Sequence, residues 1–236
     1  MTRQRPRLAL LDASQGSEHT PRNFRRDVPA DLAEFDVSGD GVPGTFGFDG
    51  FVVTGSRASV YWDEPWISDL LSWTAEAVDR GLPALGVCFG HQVLAEALGG
   101  RVEDMGAYEV GYREVRHFGN SRLFSGVDET FTAFTSHTDA VVELPPGARQ
   151  IAENDYGVHG FDIVEDDVFT VQFHPEYDTE TARALAEAKD LAPERFERVV
   201  AGITEENYAA ACEAKQVFDN FVDHVEQVRA ERAAAD

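Results

Sequence analysis

Short apolar runs alternate with stretches of helical spacing through the first hundred residues of the chain. Three of the runs end in polar residues or glycine and are predicted to be buried strands: 7–13, 51–54 and 83–87. A helix is predicted from Pro65, with Gly81 just beyond its end, and a second helix is predicted over 89–98. Because strand and helix alternate, we expect a parallel, doubly wound sheet.

The pattern changes over 112–173, where β-like runs are separated by turn residues such as those at 145–147. These short runs and turns predict antiparallel strands at one side of the sheet. Apolar residues recur at helical spacing over 217–228, which predicts a last helix packed on the body of the protein. We therefore expect an α/β fold: an open, doubly wound, mostly parallel sheet with flanking helices and an antiparallel edge portion. We expect one domain over 1–236, with a C-terminal helical extension at 178–236.

The composition is that of a globular protein except for its charge. The 236 residues are 43% hydrophobic, but 43 acidic side chains outnumber 20 basic ones and give a net charge of −23. A surface this acidic repels phosphate backbones and anionic lipid, so we expect no nucleic acid partner and no membrane partner. With lysine only at Lys189 and Lys215, the chain fits an acidic halophilic-type protein whose charges are screened in a salt-rich cytosol.

The cysteines and the N-terminal sequence favour a cytoplasmic location. Cys88 and Cys212 lie in unrelated contexts, which argues against a disulfide framework and for a reducing compartment. No apolar run approaches the roughly 20 residues that span a bilayer, and no signal-peptide core follows the basic N-terminus.

One of these cysteines lies in a pattern that is typical of an enzyme nucleophile. The frame Gly-x-Cys-x-Gly at 86–90 joins a predicted strand to a predicted helix, as in the sharp turn that exposes the nucleophile of many hydrolases. Glycine on both sides of Cys88 leaves room for a strained backbone. The free N–H groups at the start of the helix favour a thiolate, and that of Phe89 points to where an oxyanion would form. The alternative is a buried structural cysteine.

A candidate base follows another predicted strand. His174 comes directly after the apolar run 168–173, Pro175 keeps it extended, and Glu176 is next. These residues place an imidazole and a carboxylate at the carboxyl end of a strand, the edge where open α/β sheets carry their sites. The carboxylate can hold the imidazole in one tautomer and stabilise its protonated form. The alternative is a structural His-Pro turn with an exposed glutamate.

The two motifs together resemble the class I, or triad-type, glutamine amidotransferase family. They are GVCFGHQ at 86–92, followed by VLAEALGG at 93–100, and VQFHPE at 171–176. The resemblance covers 51–177 and is closest to the glutaminase domain of GMP synthase and to its stand-alone relatives. One departure is Thr54-Gly55-Ser56, where family members often have Gly-Gly-Pro.

The resemblance implies a Cys-His-Glu glutaminase. Cys88 would attack the side-chain amide of glutamine to form a thioester, His174 would move the protons, and Glu176 would assist His174. Backbone N–H groups near Gly55 and from Phe89 would form the oxyanion hole.

The resemblance also implies how glutamine is held. Gln92 would help to hold the substrate, and the backbone around Ser136 and His137 would bind its amino-acid end. We expect no cofactor, and since no zinc-type spacing of cysteine and histidine is present, we expect no metal.

Three functions stay open from the sequence. The chain could be a glutaminase that supplies ammonia to a separate ATP-dependent synthetase of the GMP synthase kind. It could be a stand-alone hydrolase of γ-glutamyl amides or peptides, or a non-catalytic binding protein of the same fold, although an intact triad argues against the last. The C-terminal extension would cover the face toward the synthetase or make a homodimer.

Overall fold

A nine-stranded sheet forms the centre of the computed structural model, which describes residues 5–235 of the chain. The strands are β1 (Arg7–Asp12), β2 (Asp31–Asp36), β3 (Gly50–Val53), β4 (Ala84–Val87), β5 (Arg101–His117), β6 (Thr130–Glu143), β7 (Arg149–Asn154), β8 (Gly157–Ile163) and β9 (Val168–Val171). Their order across the sheet is β2-β1-β3-β4-β9-β8-β7-β5-β6. The first five in this order run parallel, and the pairs from β9 to β6 are antiparallel. The predicted α/β fold, with an antiparallel portion at one side, is confirmed.

Helices cover the sheet and make up most of the chain after β9. They are α1 (His19–Asp27), α2 (Pro65–Asp79), α3 (Phe89–Ala97), α4 (Thr179–Ala188), α5 (Pro193–Gly202), α6 (Glu205–Ala211) and α7 (Gln216–Ala235). Both helices predicted in the first hundred residues are confirmed. Pro65 lacks an N–H that the first helical position would leave unpaired, and Gly81 beyond the end of α2 has a φ of +78°. None of the described helices combines the length and apolar character needed to cross a membrane.

Alternate side chains of the central strands enter two separate hydrophobic cores. In β1, Leu8 and Leu10 face the side covered by α7, which contributes Phe218, whereas Ala9 and Leu11 face α2 and α3. Because both faces are buried, β1, β3 and β4 are almost uniformly apolar. Apolar runs alone therefore reveal these three strands.

Two features of the sheet differ from the expectation. The apolar pattern does not reveal β2, because Asp31, Glu34 and Asp36 interrupt it; this strand lies at the edge, and none of its residues is buried. The antiparallel region begins at Arg101 rather than at Tyr112. The first half of β5 is mostly exposed and rich in charged residues, so it lacks a clear strand pattern.

The topology brings the ends of β4 and β9 together. The two strands are parallel neighbours, with Val87 paired to Val171. Cys88 follows β4, and its N–H donates to the Val171 carbonyl at 2.8 Å. His174 lies just beyond β9, and its N–H donates to the carbonyl of Phe134 in β6 at 2.8 Å. Both residues therefore lie at the carboxyl edge of the parallel strands, where open α/β sheets carry their sites.

Candidate active site

The backbone at Cys88 makes the sharp turn that its glycine frame predicts. Cys88 has φ 54° and ψ −102°, a conformation that L residues rarely adopt. A Cβ on Gly86 would collide with the backbone of Gly90, and a Cβ on Gly90 would collide with the backbone of Val53. The turn thus requires glycine at both positions, because α3 lies directly against the ends of β3 and β4.

The start of α3 favours negative charge at Cys88. Cys88 is the N-cap residue, no side chain caps the helix, and no acidic residue lies in its first turn. The free backbone N–H groups of the first turn and the positive end of the helix dipole therefore lie at the helix end that Cys88 caps. These groups, including that of Phe89, are the kind that stabilises a thiolate or an oxyanion.

His174 and Glu176 form a buried pair beside this turn. His174 Nδ1 lies 2.9 Å from Glu176 Oε1, and both side chains are almost completely buried. The Tyr177 ring stacks on the imidazole, with centroids 4.1 Å apart. Burial alone would lower the pKa of His174, but Cys88 and Glu176 outweigh burial and raise this pKa to about 10. The pair is thus suited to hold a proton on the imidazole beside Cys88.

Gly55 lets the imidazole of His174 approach Cys88. A Cβ at Gly55 would lie 2.8 Å from His174 Cε1 and 3.7 Å from Cys88 Cβ. The ring and the cysteine therefore approach the same point from two sides, and a side chain at position 55 would separate them. The role of the Gly55 backbone in an oxyanion hole stays a prediction.

A cavity of about 350 Å³ opens beside the pair. Its lining includes Gly55, Ser136, His174, Glu176 and Tyr177, together with residues around the start of α1 and residues of α4. Cys88 is not among the lining residues. The carbonyl oxygen of Ser136 lies 3.8 Å from Cys88 Sγ. The volume is within the roughly 300–1,000 Å³ range of small-molecule sites, so an amino acid fits here.

Two of the predicted substrate-binding residues, Gln92 and His137, do not line the cavity. Gln92 Nε2 donates to the Asp139 carbonyl and to Gln172 Oε1, each at 3.2 Å. His137 Nδ1 lies 2.9 Å from the same Asp139 carbonyl. Both side chains are thus engaged within the protein, whereas Ser136 does line the cavity. Their roles toward glutamine stay predictions.

His137 also belongs to a buried group that the sequence analysis did not predict. Glu109 of β5, His137 of β6 and His159 of β8 bring one carboxylate oxygen and two imidazole nitrogens within 4.8 Å of one another. Two histidines and a glutamate are a known zinc donor set. The three residues come from distant strands with no local motif, so only the sheet register could have revealed them.

Known proteins similar to this chain indicate its family. A family model described as glutamine amidotransferase class-I matches residues 36–190. GMP synthase [glutamine-hydrolyzing] of Azoarcus sp. (strain BH72) is 35% identical over 183 residues, which are 72% of this chain and 34% of that protein. The chain thus spans about a third of the length of the curated relatives that it matches.

Solved structures show the same fold at lower sequence identity. A glutamine amidotransferase from Thermotoga maritima aligns with a TM-score of 0.78 and 18% identity, over 93% of this chain and 99% of that one. A glutamine amidotransferase from Methylobacillus flagellatus aligns with a TM-score of 0.74 and 21% identity, over 94% and 95% of the two chains. The arrangement of the sheet and its helices is therefore that of known amidotransferases.

Proposed function

The chain belongs to the class I glutamine amidotransferase family, and from this membership we propose that Cys88, His174 and Glu176 are its catalytic triad. In this proposal the enzyme hydrolyses the side-chain amide of glutamine through a thioester on Cys88. The observation that carries the proposal is the buried His174–Glu176 pair beside a cysteine at a helix N-terminus. The raised pKa of His174 supports a thiolate–imidazolium pair as the resting state.

The proposed reaction has two halves. The Cys88 thiolate attacks the amide carbon of glutamine, and the resulting oxyanion is stabilised by the N–H of Phe89 and the backbone near Gly55. The imidazolium of His174 gives its proton to the nitrogen, so ammonia leaves and a glutamyl thioester forms. His174, now neutral, takes a proton from water, whose oxygen attacks the thioester carbon. Glutamate is released, and the thiolate and the imidazolium of the resting state are restored.

The names of the relatives support a proposal for the fate of the ammonia. The curated relatives are named GMP synthase [glutamine-hydrolyzing], and this chain matches about a third of their length. We propose that the ammonia passes to a separate ATP-dependent synthetase of this kind. Residues 178–236, apart from the last residue, which is not described, are mostly helical around α4–α7, and we propose that they form an extension of a single domain over 1–236.

The shape of the cavity favours one second candidate, a stand-alone γ-glutamyl amide hydrolase. Ala184, Leu185 and Ala188 of α4 give the cavity an apolar part of its lining. An amine substituent on the γ-amide could occupy this apolar part. The substrate with the higher kcat/KM, glutamine or a γ-glutamyl alkylamide, discriminates between the two candidates.

The proposal is tested with Cys88→Ala and an electrophilic glutamine analogue. We expect ammonia release from glutamine to fall by a factor on the order of 10⁴ or more in this variant, because the nucleophile is gone. We expect the analogue to add one adduct to wild type, located at Cys88 by mass spectrometry. Cys212→Ala removes the other cysteine and is the matched control, with unchanged turnover and labelling. Turnover that survives in Cys88→Ala would contradict the assignment.

A further inference from the structure

The buried group of Glu109, His137 and His159, called here the Glu109 cluster, takes no part in the reaction as proposed. Its three side chains are at most 3% exposed, although each can carry a charge. Burying a charged group is costly unless hydrogen bonds and an opposite charge compensate for it. The protonation state of the cluster therefore has to follow from its hydrogen bonds.

The protonation of the His137 ring depends on its two hydrogen-bond partners and on the charge of Glu109. Nδ1 lies 2.9 Å from the Asp139 carbonyl oxygen, which can only accept, so Nδ1 carries a hydrogen. Nε2 lies 2.6 Å from Glu109 Oε2. Burial alone would raise the pKa of Glu109, but the hydrogen bonds from His137 and His159 outweigh burial and hold this pKa well below its usual range. An ionised carboxylate can only accept as well, so with Glu109 ionised Nε2 donates and the ring is an imidazolium.

The remaining contacts satisfy the Glu109 carboxylate. His159 Nε2 lies 3.1 Å from Oε2, and burial lowers the pKa of His159 despite the bond to Glu109, so this ring is neutral and donates through Nε2. Asn154 Nδ2 donates to Oε1 at 2.7 Å, and Arg113 Nε lies 4.0 Å from the same oxygen. The cluster thus contains one buried anion and one buried cation in direct contact.

The short contacts fit a shared proton better than a shared metal ion. Two ligands of a tetrahedral zinc ion, each about 2.0–2.1 Å from it, lie roughly 3.3 Å apart. The 2.6 Å separation of His137 Nε2 and Glu109 Oε2 is shorter than this and is typical of a charge-assisted hydrogen bond. His159 Nδ1 also has no hydrogen-bond partner among the described residues, whereas zinc-bound histidines usually donate through their second nitrogen.

His137 holds a chain segment that contacts both Cys88 and the substrate cavity. Ser136, directly before it, lines the cavity and has its carbonyl oxygen 3.8 Å from Cys88 Sγ. The Asp139 carbonyl, bonded to His137 Nδ1, also accepts from Gln92, which lies one turn after Cys88 in α3. A change in the tilt of the His137 ring would therefore move the wall of the cavity relative to the sulfur.

On the premise that the chain is a glutaminase, we infer that Glu109 is a positioning residue for glutamine. Its carboxylate keeps His137 an imidazolium that donates to two fixed oxygens. This fixes the Ser136–Asp139 segment against Cys88 and so sets the affinity for the amino-acid end of the substrate. Glu109 touches neither the substrate cavity nor the nucleophile, and it acts through His137.

The test is Glu109→Gln, which keeps the shape of the side chain and removes its charge. We expect KM for glutamine to rise roughly tenfold, the effect of losing one hydrogen bond between charged groups, while kcat falls less than about threefold. In ¹⁵N NMR spectra at pH 7.5, we expect the doubly protonated ring of His137 in wild type and a singly protonated ring in Glu109→Gln. The His137→Asn variant identifies the signal.

Asp162→Asn is the matched control. Asp162 is also a fully buried carboxylate of the sheet, but it pairs with Arg149 at 2.6 Å and lies outside the cluster and the cavity. We expect this variant to lose stability with KM and the His137 signal unchanged. If Glu109→Gln does not fold, Asn154→Ala takes its place, because it removes the bond to Oε1 and is expected to raise KM about threefold by the same route.

Several outcomes would overturn the inference. One is that the wild type is active and that the Glu109→Gln variant, or Asn154→Ala in its place, has the same KM and the same His137 signal as the wild type. Another is a singly protonated His137 in wild type. Stoichiometric binding of added zinc that abolishes the doubly protonated signal would show a metal site instead. A wild type that shows the His137 imidazolium but does not hydrolyse glutamine contradicts the proposed function and leaves the charge state of the cluster established.

Discussion

The two halves of the sheet hold buried histidine–glutamate pairs in opposite ways. In the parallel half, His174 and Glu176 lie beyond the strand ends, beside a strained cysteine and a cavity, and Glu176 Oε2 has no hydrogen-bond partner among the described residues. In the antiparallel half, Glu109 lies within a long strand, away from the cavity, and both of its oxygens accept hydrogen bonds.

In the proposed mechanism, this difference distinguishes a pair that reacts from a pair that positions other groups. A reacting pair needs access to substrate and protons that can move, so it tolerates strain and incomplete hydrogen bonding. A positioning pair needs a single fixed geometry, which complete hydrogen bonding provides. Substitutions in the parallel half should therefore act mainly on kcat, and substitutions in the Glu109 cluster should act mainly on KM.

The largest effect is expected from His174→Gln. Without the imidazole, no group can protonate the departing ammonia, and kcat should fall roughly 10³-fold. His117→Gln is the control, because His117 is a buried histidine of β5 that stacks on Phe124. The control should lower the melting temperature and leave kcat nearly unchanged. If His174→Gln and His117→Gln lose kcat equally, His174 has no special role in turnover and the proposed difference between the two halves of the sheet is wrong.

Gly55→Ala should come next. The added methyl group would lie 2.8 Å from His174 Cε1, so the ring must move away from Cys88. A displacement of about 1 Å in a reacting group costs roughly 10²-fold in rate, and we expect a loss of kcat of that size. Gly44→Ala is the control, since a Cβ there meets no atom within 4 Å. Full activity in Gly55→Ala would show that turnover does not require the His174 ring to lie this close to Cys88.

Glu176→Gln should have a smaller effect on turnover, roughly tenfold, and a distinct effect on stability. The pKa of His174 in the folded protein, about 10, lies above its ordinary value near 6.5. This pair therefore stabilises the fold fully below pH 6.5, and the contribution is lost as the pH rises through 10. In Glu176→Gln the pKa of His174 should be lower, so this contribution to folding stability should be lost completely at a lower pH than in wild type. Urea unfolding from pH 6 to 10.5 measures this, and coincident curves would contradict the coupling.

The smallest effect is expected from salt, which acts on the surface and on neither buried pair. The net charge of −23 makes the folded surface repel itself, and added ions screen this repulsion. Raising KCl from about 0.1 to 2 M should increase the melting temperature by about 5 °C, with an equal increase in Glu109→Gln. A melting temperature that does not change would argue against the salt-adapted surface.

The sequence predicts the parallel half of the site because its requirements are local. Gly86 and Gly90 lie within two residues of Cys88, and Pro175 and Glu176 directly follow His174, so each motif is contained in a few consecutive residues. The family resemblance rests on these motifs and is confirmed by the match over 36–190.

The antiparallel half depends on strand register, which a single sequence does not reveal. Glu109 pairs with His137 across β5 and β6 after an irregularity in the ladder, and His159 arrives from β8. No spacing in the sequence relates these residues, and a glutamate in a half-exposed strand resembles an ordinary surface residue. The same limit explains why β2, an edge strand with acidic residues in its pattern, is absent from the predicted elements.

The most direct test of the account is the protonation state of His174 at pH 8.5, measured by ¹⁵N NMR on uniformly labelled protein. His174→Gln identifies the signal. We predict that both ring nitrogens of His174 are protonated at this pH in wild type, because Cys88 and Glu176 raise the pKa of the ring to about 10. A neutral His174 that titrates near the ordinary value of 6.5 would contradict the thiolate–imidazolium pair on which the proposed mechanism depends.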